Sequence, residues 1–185
     1  MKASNINSDI SQVRYQQRVK DEAWIRAFLH QVPFGMLATE YQGQPFLKPS
    51  LFVYDEGRNA IYIHGALEGR MRTNLEANPR VCFCAAEMGR LLPATTAMEF
   101  GVEYASVVVF GDIAVCTSEE EARYGLQLIL DRYFPHLKSG EDYREIIPEE
   151  LNITAVYRID IRTMSGKETH EPPEFPGAFT YPHPT

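Results

Sequence analysis

Residues 62–79 read Tyr62-Ile63-His64-Gly65-Ala66-Leu67-Glu68-Gly69-Arg70-Met71-Arg72-Thr73-Asn74-Leu75-Glu76-Ala77-Asn78-Pro79. The pattern predicts a strand that ends at His64, a loop with two glycines, and a helix over 70–77 closed by Asn78-Pro79. The first N–H groups of a helix are unpaired, so its N-terminus favours anions. Arginine adds a rigid fork of donors that suits phosphate. A phosphate site at Gly69, Arg70 and Arg72 is one reading of this stretch. A tight turn into a helix with solvated arginines is the other, and spacing alone leaves both open. The loop is not a Walker A motif: three residues separate Gly65 from Gly69, and Arg70 stands where Lys-Ser/Thr is required. No G-x-G-x-x-G follows a strand, so a dinucleotide fold of that type is not indicated.

Strand and turn signals continue on both sides. Phe34–Tyr41, Pro45–Tyr54 and Ala60–His64 are separated by turns at Gln42-Gly43-Gln44 and Asp55–Asn59, which predicts an antiparallel meander. Further strands are expected over Arg80–Ala86, Glu103–Cys116 and Leu151–Arg162. Gly111 inside the second of these predicts a bulge or bend. A first helix starts at the N-cap Asp21, buries Trp24, Ile25, Phe28, Leu29 and Val32, and stops at Pro33. Another follows Ser118, with Glu121 completing a capping box and a stripe of Ala122, Leu126, Ile129 and Tyr133. Residues 87–102 show no period and read as a long loop. Its Met88, Met98, Phe100 and nearby Tyr104 suit either an apolar wall over a ligand or subunit contacts. Six strands with two or three helices is an α+β, mainly β pattern. Long strands with a central glycine favour a closed or partly closed barrel.

Composition narrows the function. The chain has 185 residues, enough for one domain with a sizeable core. Its formal charge of −7 argues against a surface built for nucleic acid. No apolar run approaches the ~20 residues that span a bilayer, and residues 1–20 lack the apolar core of a signal peptide. A cytoplasmic protein is expected. Cys82, Cys84 and Cys116 form no CxxC, so reduced thiols are expected. There is no second cysteine pair and no histidine at zinc-site spacing, so no metal is expected. His30, His136, His170 and His183 read as solvated polar residues. The chain divides into a polar lead-in (1–20), a core domain (21–168) and a Pro-rich tail (169–185) expected to be extended and to dock on a partner.

The ordered blocks resemble the flavin-binding split-barrel superfamily, which includes the pyridoxamine 5′-phosphate oxidases, and most of all its nitroimidazole-resistance (Nim-like) branch. They are His64-Gly65-Ala66, Gly69-Arg70-Met71, Asn74-Leu75 and Asn78-Pro79 in the opening stretch. Phe34–Thr39 resembles the family's first strand, 104–111 its Ser-containing strand ending in Gly111, and Gly166-Lys167 its closing pair. The resemblance implies an antiparallel six-stranded split β-barrel with flanking helices. It implies a homodimer with FMN at the interface, acting on a small-molecule electron acceptor such as a nitro compound or quinone. Lys48, Pro49, Ser50 and Leu51 would run along the flavin ring, with His64 and Gly65 near the ring or ribityl chain. Gly69 and Arg70 would hold the phosphate, and Ser106 would reach the flavin. At the position of the family's second phosphate cation stands Met71, which leaves Arg72 as its substitute. Haem or a deazaflavin is the alternative cofactor, with His64 as the axial ligand for haem. His64 is also the candidate catalytic residue, as an acid or as a flavin hydrogen-bonding group. A flavin or haem carrier without turnover is the alternative function.

Overall fold

A computed structural model describes residues 10–182. The tail's last residues, with His183, and the first nine of the lead-in lie outside the described part. One antiparallel sheet of eight strands organises the chain. In chain order the elements are β1 (Val19–Lys20), α1 (Glu22–Gln31), β2 (Gly35–Tyr41), β3 (Gln44–Ser50), β4 (Val53–Asp55), β5 (Ala60–Gly65) and α2 (Arg70–Ala77). Then follow β6 (Arg80–Leu92), β7 (Gly101–Val115), α3 (Glu119–Tyr133), α4 (Pro148–Leu151) and β8 (Ala155–Thr169). The spatial order is β3-β2-β6-β7-β8-β5-β4, with β1 added to β8. The two end strands, β3 and β4, are consecutive in sequence. The sheet curls until they are joined by residues 51–52, but no ladder closes it.

Eight strands replace the expected six for specific reasons. The run 45–54 breaks at Phe52, which is fully buried. Its N–H donates to the Tyr133 hydroxyl at 3.1 Å, and its carbonyl accepts from that hydroxyl at 2.9 Å. A side chain from α3 therefore satisfies the backbone that leaves the sheet, as burial requires. Val19–Lys20 adds a short pair to β8, opposite Lys167 and Gly166. The expected long loop at 87–102 is largely strand, because β6 runs on to Leu92. A register shift between Met88 and Leu91 hides the two-residue period there. Met88, Met98 and Phe100, on and beyond that extension, are exposed. The last strand starts later and runs further than expected, from Ala155 to Thr169.

Other local signals agree with the structure. The Asp21 carboxylate accepts from Trp24 N–H at 2.8 Å, and the Ser118 hydroxyl accepts from Glu121 N–H at 3.2 Å. The expected bulge lies at Gly111, where pairing with β8 jumps from Phe110–Thr163 to Gly111–Ile161. The inner face of the sheet buries Leu37, Phe52, Ile63, Phe83, Val109 and Ile159, with Ile25, Phe28 and Leu29 of α1 closing over them. α3 covers the outside of β4, β5 and β8, and Gly125 allows the approach. A β-carbon there would lie 2.7 Å from the Tyr62 ring. All three cysteines are free. Among the described residues no helix is long and apolar enough to cross a membrane.

The tail docks on its own chain. Arg90 pairs with buried Glu103 at 2.6 Å and donates to the carbonyls of Glu171, Pro172 and Pro173. Glu103 also accepts from the Glu171 N–H, and Leu91 bridges to Phe179. The Arg90 hydrogen bonds first, then the Glu171 N–H, hold the Glu103 carboxyl at about 2, far below the usual range. The clamp is therefore ionised throughout the neutral range.

Two tests follow from this packing. A β-carbon at Gly111 would overlap the Asp160 carbonyl oxygen, which is backbone and cannot swing away. Gly111→Ala should lower stability by about 1–3 kcal/mol in urea denaturation, and an unchanged midpoint would remove the bulge's role. Glu103→Gln should raise amide exchange at Glu171 and Phe179 while leaving β2 protected. Equal protection in both proteins would show that the clamp does not hold the tail.

Candidate functional site

The opening stretch folds as its sequence predicts. β5 ends at Gly65, and Gly69 is the N-cap of α2 with φ +121°, a conformation that favours glycine. No side chain among the described residues caps this helix. Arg70 is exposed at the first position. Its Nε donates to Asn74 Oδ1 at 3.1 Å, and Asn74 Nδ2 donates to Thr39 Oγ1 at 2.8 Å. Asn74 and Thr39 are both buried. The guanidinium is thus tied through two buried polar groups to β2, which limits its directions.

Lys48 joins this cluster from the other edge of the sheet. It lies opposite Leu37 on β2, and Leu37 lies opposite Phe83, so Lys48 shares the inner-face row. Its ammonium donates to the His64 carbonyl at 3.4 Å. A β-carbon at Gly65 would sit 3.4 Å from Met71 Cε, and 3.7 Å from both Lys48 Nζ and the Tyr157 ring. The small residue therefore marks the point where β3, β5, α2 and β8 meet. Burial lowers the Lys48 pKa. Among the described residues no carboxylate lies within ion-pair distance of Lys48 or Arg70. A partly desolvated ammonium without a counter-charge is what an incoming anion would relieve.

The remaining predicted residues divide. Met71 is buried in the core, so its thioether takes no part at the rim. Arg72, the expected substitute cation, is bound by Glu76 at 2.6 Å. Lys48 is the cation whose ammonium lies beside Gly65. Ser50 is buried, and its hydroxyl donates to the Leu51 carbonyl. Pro49 and Leu51 are exposed. Ser106 is not in the cluster: it lies on β7 opposite Lys167, beside a separate cavity. His64 stands at the rim. Burial, then the Lys48 ammonium, lower its pKa, so the imidazole is neutral at pH 7.

Asn74 and Tyr157 carry functions that the sequence reading did not assign. Tyr157 is fully buried, yet its hydroxyl donates to the Ala66 carbonyl at 3.1 Å and pins the loop. Asn74 had a visible signal: it lies four residues after Arg70, and so on the same helix face.

A sequence profile of the pyridoxamine 5′-phosphate oxidase family matches residues 21–168. The chain belongs to this family. Members are flavin-binding split barrels. Nothing among the curated proteins matches the sequence. Among solved structures, the flavocytochrome Anf3 from Azotobacter vinelandii is 25% identical with a TM-score of 0.80, over 96% of this chain and 89% of that one. An FAD and heme binding protein from Mycobacterium smegmatis shares the fold at 20% identity and TM-score 0.73, over 82% of this chain and 72% of that one. So does a Bacteroides thetaiotaomicron protein proposed to act in 5-nitroimidazole antibiotic resistance, at 20% identity and TM-score 0.67, over 81% and 86%.

The His64 geometry has a pH consequence. Its folded pKa is lowered, so below its ordinary value of about 6.5 the unfolded chain takes up a proton that the folded ring refuses. Stability should rise with pH up to about 6.5 from this residue. His64→Gln should flatten that part of a stability–pH curve, and an unchanged slope would place the titration elsewhere.

Proposed function

We propose that this family member is an FMN-dependent oxidoreductase that reduces a small molecule such as a nitro compound or a quinone. The observation that carries the reading is the meeting of Arg70, the uncapped N-terminus of α2 and the unpaired ammonium of Lys48 around Gly65. Two cations and a set of backbone donors suit one phosphate monoester. FMN would supply the electron transfer; the chain binds it, orients it and keeps competing groups away. Arg70, held by Asn74, neutralises the phosphate from the helix side. Lys48 does so from the β3 side, in place of the cation that Met71 lacks. His64 presents a neutral imidazole at the rim, where it hydrogen-bonds the ligand. No protein nucleophile is needed, which agrees with the absence of a Ser-His-Asp or Cys-His set in the sequence reading. A phosphorylated substrate would need further cations beside the cofactor's own, so pyridoxamine-phosphate oxidation is not the activity proposed.

The active form is a homodimer with the cofactor at the interface. Met36, Leu47 and Leu51 are 41%, 55% and 42% exposed on the β2–β3 side, an apolar surface that a second subunit would cover. The cytoplasm suits three free thiols. A second reading has its own support. The 25% identity to a flavocytochrome and the neutral imidazole of His64 favour a flavin- or haem-binding electron carrier. A deazaflavin would use the same phosphate grip.

An absorption spectrum of the purified protein, followed by denaturation and identification of the released cofactor, separates these readings. Flavin bands with free FMN are expected; a Soret band would move the assignment to haem and His64. Arg70→Ala and Lys48→Met should each weaken FMN binding about tenfold to a hundredfold, the effect of one charge-assisted contact. Unchanged affinity in both would refute the phosphate site. A cofactor-loaded monomer in sedimentation would refute the shared site.

A further inference from the structure

α3 has a second face. Ala122, Gly125 and Ile129 are its buried residues. On the other side Glu120, Arg123, Tyr124 and Gln127 recur at helical spacing and form one wall of a groove of about 730 Å³. Glu145 and Ile146 belong to the facing wall, on the segment that leads from α3 to α4. That wall is held in place. The Arg123 guanidinium donates to the Ile146 carbonyl, and Gln127 Nε2 donates to the Tyr143 hydroxyl at 2.9 Å. Within the segment, the Gly140 N–H donates to the Tyr143 carbonyl at 2.7 Å. The groove thus exists before a ligand arrives, which lowers the ordering cost of binding.

The hydrogen bonds around the groove leave its chemistry one-sided, because the donors are spent. Arg123 also pairs with Glu119 at 2.6 Å. The Gln127 amide is shared between Tyr143 and Asp131, and the Tyr124 hydroxyl donates to Asp55 at 2.8 Å. Neighbouring cations are neutralised as well. Arg58 stacks over the Tyr124 ring at 4.0 Å and lies 3.8 Å from Asp55, and Arg144 pairs with Glu150 at 2.9 Å. Acceptors remain. The Glu120 and Glu145 side chains are exposed, and among the described residues no cation lies within ion-pair distance of either carboxylate. Tyr124 and Ile146 add the apolar part of the lining.

We infer that this groove is a binding site for a small organic cation, an ammonium or guanidinium carried on an apolar body. The cation meets the Glu120 and Glu145 carboxylates, and the body lies against Tyr124 and Ile146. The volume falls within the roughly 300–1,000 Å³ of ligand pockets. Each carboxylate is solvated and contributes weakly, so apolar contact supplies the larger share of the affinity and charge supplies the selectivity. An anion would find no free side-chain donor there and would meet two negative charges. The inference does not rest on the flavin reading, because the groove shares no residue with the Gly65 cluster.

Titration of the full chain with phenethylamine, phenethyl alcohol and phenylpropionate, followed by backbone amide chemical shifts, tests it. The three probes share a body and differ in charge. The amine should bind most tightly and the carboxylate least, with the largest shifts at Arg123, Tyr124, Gln127 and Ile146. Glu120→Gln and Glu145→Gln should each weaken the amine about twofold to fivefold, the effect of one exposed ion pair, and the double variant about tenfold. Both side chains are exposed, so neither change should disturb folding. Arg70→Ala should leave amine binding unchanged. No amine binding, or amine binding equal in the wild type and the double variant, would overturn the inference. Equal affinity for the amine and the alcohol would overturn the ligand class. Shifts confined to the residues around Gly65 would place the amine in the cofactor site and overturn the separate groove. A tetralysine peptide that binds more tightly than the amine would make the groove a docking surface for a basic chain and overturn the small ligand.

Discussion

Every feature of the Gly65 cluster depends on how the sheet fails to close. Its end strands, β3 and β4, are neighbours in the chain, so the curled sheet brings its two edges together at residues 51–52. Peptide groups at such a junction have left both ladders and still lie in the core. The Tyr133 hydroxyl, carried by a helix 81 residues later, takes over their hydrogen bonding. With the junction fixed, β3 lies beside the β5–α2 loop and Lys48 reaches the His64 carbonyl. A fully closed ladder would occupy the edge groups with one another. The split leaves a rim at Gly65 where β3, β5, α2 and β8 meet.

The same arrangement explains what sequence alone shows. Helix starts at Asp21, Ser118 and Gly69 are local events within four residues, and all three were legible. So was the Gly111 bulge, because a glycine inside a β-branched run has few other reasons to be there. Contacts between distant parts were not legible. Nothing near Phe52 signals that its backbone will be met by Tyr133. Nothing near Gly89 signals that β6 continues past an irregular register to Leu92. Lys48 was placed along the cofactor by resemblance, but its pairing with the helix site rests on β3 meeting β5. Ser106 was placed there by the same resemblance; within one chain it lies on β7 opposite Lys167.

The charge distribution has a consistent logic. Most arginines of this acidic chain are neutralised at once, as in Arg72 with Glu76 or Arg144 with Glu150. Such exposed pairs add little stability. Cations without such a partner among the described residues, such as Lys48 and Arg70 at the Gly65 rim, are therefore more informative than paired ones.

The clamp between Arg90, Glu103 and the tail has a consequence for biosynthesis. Arg90 and Glu103 sit on a hairpin that can form once residue 115 has left the ribosome. The carbonyls of residues 171–173 that complete their hydrogen bonding are made more than fifty residues later. Until then the guanidinium must keep part of its water shell. The far end of the β6–β7 hairpin thus dries only after residues 171–173 have been made.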